Sequence, residues 1–275
     1  MHSAALLDAS PSTAGEVQRW DVSGAAAPDG AVPGLILICE HASNRFTAPW
    51  QEPDPALLAS HAASDPGALG LAQALGARLA QVQDRVVELI HAPFSRLIYD
   101  LNRSPDRPDT SPDRSEVYRI PMNEGLTPAE RLRRMDALYL PFHNLVRARI
   151  ARALVLGGRP AVLTVHSFSP VWHGVPRHVE WGVIHDGMPA LAEAIVAEAG
   201  DTGLKTELNA PYSAEDHVTH TLRLHALPYG LENAMLELRN DLIATWEAQQ
   251  ALAARLAPAL ARALAQMTGV PCPAR

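Results

Sequence analysis

The chain has 275 residues, a formal net charge of −7 and a pI near 5.9. That length is enough for a substantial core and fits one α/β domain, expected over residues 30–270, better than two. The acidic balance, with no Lys/Arg-rich block, excludes a nucleic-acid binder, which needs a basic surface against phosphates, and no apolar run is long enough to span a bilayer.

The two cysteines are Cys39, inside an apolar run, and Cys272, in a proline-flanked tail, a usage that predicts no structural disulfide and suits a reducing compartment. Met1-His2-Ser3-Ala4 opens without a basic segment and apolar core, so no secretory signal is expected and the default location is cytoplasmic. Residues 1–29 are rich in Ala, Ser, Gly and Pro and read as a partly flexible N-terminal extension, in which Val17, Trp20 and Val22 are suited to an edge strand.

Gly34 to Cys39 is a continuous apolar run bounded by Pro33-Gly34, which reads as a strand buried on both faces; it runs into Glu40-His41-Ala42-Ser43-Asn44. In open α/β sheets chemistry collects beyond the carboxyl ends of such strands. Asp65-Pro66-Gly67 reads as a helix start, with Asp as cap and Pro at the first helical position, followed by Leu69, Leu71, Ala72, Leu75 and Leu79 on one face. Val86 to Ile90 and Leu97 to Asp100 are strand candidates, and the Pro, Asp, Arg and Ser of residues 104–114 predict a surface loop near the site. Thr127-Pro128-Ala129-Glu130 has capping-box spacing and predicts a helix to about Tyr139, with a second from Phe142 to Leu156. Pro160 to Val165 runs into His166-Ser167, and Leu231 to Leu236 into Glu237-Leu238-Arg239-Asn240-Asp241. Trp181 to Ile184 is a short buried strand, Leu191 to Ala199 an amphipathic helix, Asn209 to Ser213 a turn, and Trp246 to Met267 a last helix that Pro258 kinks or splits. The alternation predicts a doubly covered, largely parallel sheet.

Strand ends carrying His41, His166 and Glu237, with Asp65 at a helix start, supply two imidazoles and a carboxylate for a divalent metal and leave a second carboxylate free. Zinc hydrolases need that set: three protein ligands, an open position for water, and an acid/base. Read alone, Asp65 is equally an ordinary helix cap, Asp100 a structural acid that orients Arg96 or Arg103, and His61, His91, His173, His178, His217, His220 and His225 incidental, with His225 or Tyr212 suited to line a pocket. Cys39 reads as a small buried side chain. Ser43 and Ser167 each adjoin a His but lack a nucleophile-elbow glycine pattern.

Glu40-His41-Ala42-Ser43-Asn44, Ser64-Asp65-Pro66-Gly67, the segment from Ser95-Arg96 to Asp100-Leu101-Asn102-Arg103, His166-Ser167 and Glu237-Leu238-Arg239-Asn240-Asp241 resemble, in that order, the N-formylglutamate amidohydrolase family, from about Leu35 to Ile243. The resemblance implies a phosphorylase/hydrolase-like α/β fold, a three-layer sandwich on a mixed, mostly parallel sheet, akin to zinc exopeptidases and aspartoacylases. It implies hydrolysis of an N-acyl amino acid, N-formylglutamate plus water to glutamate and formate in histidine breakdown, with a small molecule as the partner. Carried over by residue, it assigns His41, Asp65 and His166 to Zn2+ or another divalent metal and Glu237 to proton transfer. It assigns Asn102 and Arg103 to a substrate carboxylate, and Arg96 and Arg239 to a second carboxylate contact or the oxyanion. The related zinc hydrolases use His-x-x-Glu for two ligands; Asn44 stands at the matching place, so the carboxylate role passes to Asp65, with Glu40 in reserve. Two other functions fit the same residues: an amidohydrolase for a peptide or cell-wall amide, and a non-catalytic relative that binds a small carboxylate or a partner protein. Oligomeric state is not legible in the chain.

Overall fold

The computed structural model describes residues 15–28 and 30–268. The flexibility expected of the first residues and the tail with Cys272 lie outside them. In chain order the strands are β1 (Glu16–Trp20), β2 (Pro33–Cys39), β3 (Val86–His91), β4 (Arg114–Ser115), β5 (Tyr118–Arg119), β6 (Ala161–Phe168), β7 (Val171–Trp172), β8 (Val175–Pro176), β9 (Trp181–Ile184), β10 (Thr206–Leu208) and β11 (Asn233–Arg239). The α-helices are α1 (Pro55–Leu58), α2 (Ala68–Gln83), α3 (Pro128–Arg134), α4 (Leu140–Val155), α5 (Ala190–Glu198), α6 (His220–His225) and α7 (Trp246–Thr268).

Seven strands form one mixed sheet in the order β1-β3-β2-β6-β11-β9-β10. Its centre, β3, β2, β6 and β11, is parallel; β1 runs antiparallel to β3 and β9 antiparallel to β11. Side chains alternate across the pleat, so β2 feeds two cores. Leu35, Leu37 and Cys39 pack with α2, α5 and α7, while Ile36 and Ile38 pack with Phe142, Val146 and Ile150 of α4. The apolar run therefore has no polar face, and the protein is the expected three-layer α/β sandwich.

Register positions the site. His166 of β6 and Glu237 of β11 are direct cross-strand partners, and Glu237 in turn faces Gly182 of β9. Paired residues of neighbouring strands point to the same side of the sheet. His41 lies just beyond β2, beside β6, at the same carboxyl edge.

Several expectations are corrected. Leu97 to Asp100 is not a strand but a buried turn, held by Ser95 Oγ donating to Ala63 O (2.7 Å) and by the Asp100 amide donating to Thr110 O (2.7 Å). Asp65 is not the cap of α2: Gly67 is, at φ 81°, where an added Cβ would sit 2.3 Å from Ile243 O. The Asp65 side chain is thereby free to turn toward the histidines. Thr127 caps α3 by accepting from the Glu130 amide, and a π-helical turn over Met135–Tyr139 joins α3 directly to α4. Pro258 does not split α7. It lies on the exposed side with Ala254, whose carbonyl loses its helical partner to the missing proline N–H. Among the described residues no helix is long and apolar enough to cross a membrane.

Gly182 packs without room for a side chain: a Cβ there would lie 1.8 Å from Ala210 O. Gly182→Ala is expected to cost about 1–3 kcal/mol through forced backbone movement, read as a lower urea midpoint. An unchanged midpoint would show that the Ala210 segment gives way freely.

Candidate metal and acid–base site

Asp65 is the hub. Its backbone N–H donates to His41 O (2.9 Å), and Oδ2 lies 3.3 Å from His41 Nδ1 and 2.9 Å from His166 Nδ1. Oδ1 accepts from Arg96 Nη1 (3.2 Å). All three residues are buried. Each imidazole is oriented through its other nitrogen: His41 Nε2 lies 2.8 Å from Asp100 Oδ1, and His166 Nε2 lies 3.1 Å from Glu40 Oε2. Metal-ligating histidines are oriented in this way, with an outer carboxylate setting tautomer and basicity. His41, Asp65 and His166 each offer one ligand atom within 4.8 Å of the others, and a donor set of two imidazole nitrogens and one carboxylate oxygen fits a divalent cation. Glu40 stands behind His166, at the nitrogen that faces away from Asp65. Asn44, exposed, donates to Leu58 O and takes no part.

Electrostatics separates the acids. Burial works to raise Glu40, but the charge and hydrogen bond of His166, with His41 and Thr221, together outweigh it and bring the carboxyl down to about 2. Asp65 and Asp100 are likewise held low against their burial, by His41 in the first case and Arg96 in the second. Burial works to lower His166, yet Glu40 and Asp65 hold it well above its ordinary range. A site whose carboxylates favour a proton there also favours a cation, since metal and proton compete for the same nitrogens. Glu237 goes the other way: burial, with Asp65 close by, pushes it up to about 7. Two glutamates with opposite shifts imply two roles.

A cleft of about 440 Å3 opens over this centre, lined by His41, Asp65, His166, Glu237, Arg96, Asn102 and Arg103. Arg96 bridges Asp65 and Asp100 (Nη2 to Oδ2, 2.5 Å). Asn102 is buried and tied at both ends of its amide: Nδ2 donates to Val218 O (2.5 Å) and Oδ1 accepts from the Thr221 amide (3.1 Å). Arg103 donates to Asp109 and to the carbonyls of Asn102 and His217. Arg239 is outside the lining, its guanidinium held by Asp241, Glu180 and Arg177 O. Ser167 is no nucleophile; its hydroxyl donates to Pro66 O (2.8 Å) and its amide to Asp65 Oδ2 (3.3 Å). Cys39 is buried and its thiol pushed up by burial, which leaves it inert.

The sequence reading did not foresee that Asp100 and Glu40 back the two histidines. Asp100, expected to orient Arg96 or Arg103, pairs with Arg96, and the same carboxylate also reaches His41. His61, read from the sequence as incidental, lines the cleft 3.0 Å from Glu116. Tyr212 lines the cleft as expected, whereas His225 lies behind it.

The fold and the site define a hydrolase of the α/β class with a candidate metal centre. The model of the N-formylglutamate amidohydrolase family matches residues 34–244, and the chain belongs to that family. Among solved structures it is similar to the gene product Atu2144 from Agrobacterium tumefaciens, with 42% identity, coverage of 92% of this chain and 96% of that one, and a TM-score of 0.83. It also shares its fold with N-formylglutamate amidohydrolase from Ralstonia eutropha JMP134, at 18% identity, 92% and 99% coverage and a TM-score of 0.60. No curated protein matches the sequence.

The loop that presents Asn102 rests on a histidine pair. His143 Nε2 donates to Leu101 O (2.9 Å), so its Nδ1 accepts, and His225 Nε2 donates to it (2.8 Å). Burial, with the neighbouring ring adding, pushes His143 down to about 3 and burial pushes His225 to about 4. The unfolded chain gains a proton on each near pH 6.5 and the folded chain does not. Their contribution to stability is therefore complete above pH 6.5 and is lost as pH falls toward 4, by up to about 1.4 kcal/mol per pH unit for each. His225→Gln is expected to flatten the fall in urea stability between pH 6.5 and 5 relative to wild type; parallel slopes would contradict the neutral pair.

Proposed function

We propose that the chain hydrolyses the amide bond of an N-acyl amino acid, N-formylglutamate plus water to glutamate and formate, with Zn2+ or another divalent metal held by His41, Asp65 and His166. The observation that carries this reading is the convergence of two Nδ1 atoms and Asp65 Oδ2 beside Glu237, a carboxyl pushed up to about 7. A divalent ion there supplies Lewis acidity to the scissile carbonyl and makes water a better nucleophile near neutral pH.

The remaining work falls to the chain's own groups. Glu237, with an affinity for protons matched to neutral pH, takes a proton from the attacking water and hands it to the departing amine. The amide C–N bond breaks as that nitrogen is protonated, and the water oxygen stays on the formate. Arg96, anchored by Asp65 and Asp100, presents remaining N–H groups to the oxygen that gains negative charge. Arg103 receives the carboxylate nearest the amide, and Asn102 holds the Arg103 backbone by tying it to residues 218–221. Arg239 acts indirectly in this reading, by fixing the end of β11 after Glu237.

Glu237→Gln is expected to lower deformylation of N-formylglutamate by about 10²- to 10⁴-fold while zinc content, read by elemental mass spectrometry, stays as in wild type. His166→Ala is expected to lose the zinc as well as activity. Wild-type turnover in the glutamine variant would remove the acid–base role, and undiminished zinc in His166→Ala would remove the metal site.

A further inference from the structure

We propose that Arg114 is the receptor for the substrate carboxylate farthest from the scissile amide, and so the residue by which the cleft selects a dicarboxylic N-acyl amino acid. This rests on the reaction proposed above and adds the specificity that the reaction alone does not determine.

The argument is one of charge pairing. Asp65 and Asp100 are matched by the two histidines and Arg96. Asp109 is matched by Arg103 (3.1 Å) and Arg107 (2.8 Å), and Glu116 by His61 (3.0 Å) and the His173 amide (2.8 Å). Asp216 accepts from the Ser213 amide (2.8 Å). Among the described residues, two charged side chains lining the cleft have neither a hydrogen bond nor an ion pair: Glu237 at the floor and Arg114 at the rim. Glu237 has its work in proton transfer. Arg114 is a permanent cation that lines the cleft with no protein partner for its fork of donors, a chemistry suited to a carboxylate.

Its backbone is well placed to hold it there. Arg114 and Ser115 pair with Arg119 and Tyr118 in the β4–β5 hairpin, and the Ile120 amide closes the hairpin on Asp113 O (2.8 Å). Upstream, Ser111 Oγ donates to Ile98 O (2.9 Å), and downstream Glu116 is bound to His61 and the β7–β8 turn. The hairpin's other arginine, Arg119, is already taken by Glu124 (2.7 Å). Arg96 is bound at the histidine–aspartate centre, whereas Arg114 is exposed at the edge of the cleft. In an N-acyl glutamate the α-carboxylate sits one carbon beyond the amide nitrogen, and the side-chain carboxylate lies two methylenes further out.

The test compares wild type, Arg114→Gln and the control Arg119→Gln on N-formylglutamate and its neutral isostere N-formylglutamine. Arg114→Gln is expected to raise KM for N-formylglutamate by about 10- to 100-fold, the loss of a charge-assisted contact, with kcat little changed and the glutamine substrate within about two-fold. Arg119→Gln should leave both substrates as in wild type. Equal loss on both substrates, or loss on neither, overturns the assignment. Should the wild type hydrolyse neither compound, the proposed reaction fails but Arg114 is still read, by calorimetric titration with L-glutamate and L-glutamine. A preference for glutamate that Arg114→Gln abolishes sustains the role; the same preference in both proteins, or none in wild type, overturns it.

Discussion

A carboxylate buried away from water is tolerable only when opposite charges and donors surround it, and Asp65 meets that condition by gathering His41, His166, Arg96 and the Ser167 amide at one point. Most of the site geometry follows from that requirement. Two imidazoles drawn to one oxygen through Nδ1 must each turn Nε2 outward, and those outward nitrogens meet Asp100 and Glu40 in turn. Six ionisable groups are thus locked into one network, and the centre left between the Nδ1 atoms suits a positive charge.

Bringing Asp65 to that point depends on backbone detail at either side. Gly67 takes up a left-handed turn against Ile243 O, which starts α2 two residues late and leaves Asp65 uncommitted to capping. The His41 carbonyl accepts from the Asp65 amide and keeps the loop against the end of β2. On the neighbouring strands, in-register pairing of His166 with Glu237 places a buried acid beside the candidate metal ligands, while strand β9 packs closely behind it through Gly182. Dehydration raises Glu237, and the same dehydration strengthens the pairing that lowers Glu40. Burial of one site therefore yields two glutamates of opposite character, because His166 forms its ion pair with Glu40 and not with Glu237.

The periphery of the site is built differently, from loops pinned by side chains. Asn102 and Arg103 are held by the segment before and within α6, the His143–His225 pair supports Leu101 from below, and Glu116 joins the two small hairpins across the cleft mouth. These contacts replace the regular ladder that Leu97 to Asp100 lacks, and they give the rim arginines defined positions on short, irregular backbone.

Much of this protein was determined by the sequence alone. Uninterrupted apolar runs at Gly34 to Cys39 and Pro160 to Val165 can only be covered on both faces, which requires a layered α/β fold. The order of the motifs from Glu40-His41 to Glu237 marks the family and nominates His41, Asp65, His166 and Glu237. What tertiary structure alone decided is what those residues face. Whether Asp65 caps a helix or turns to a histidine depends on how α2 meets Ile243, and whether Asp100 is structural or backs His41 depends on a turn that the apolar pattern of Leu97 to Tyr99 disguises as a strand. Arg239 follows Glu237 by two residues yet pairs with Glu180 outside the cleft, while Arg114 comes to line it from an unremarkable charged loop. Local pattern records burial and periodicity; the partner of a charge is set by long-range packing, and in this site the partner defines the role.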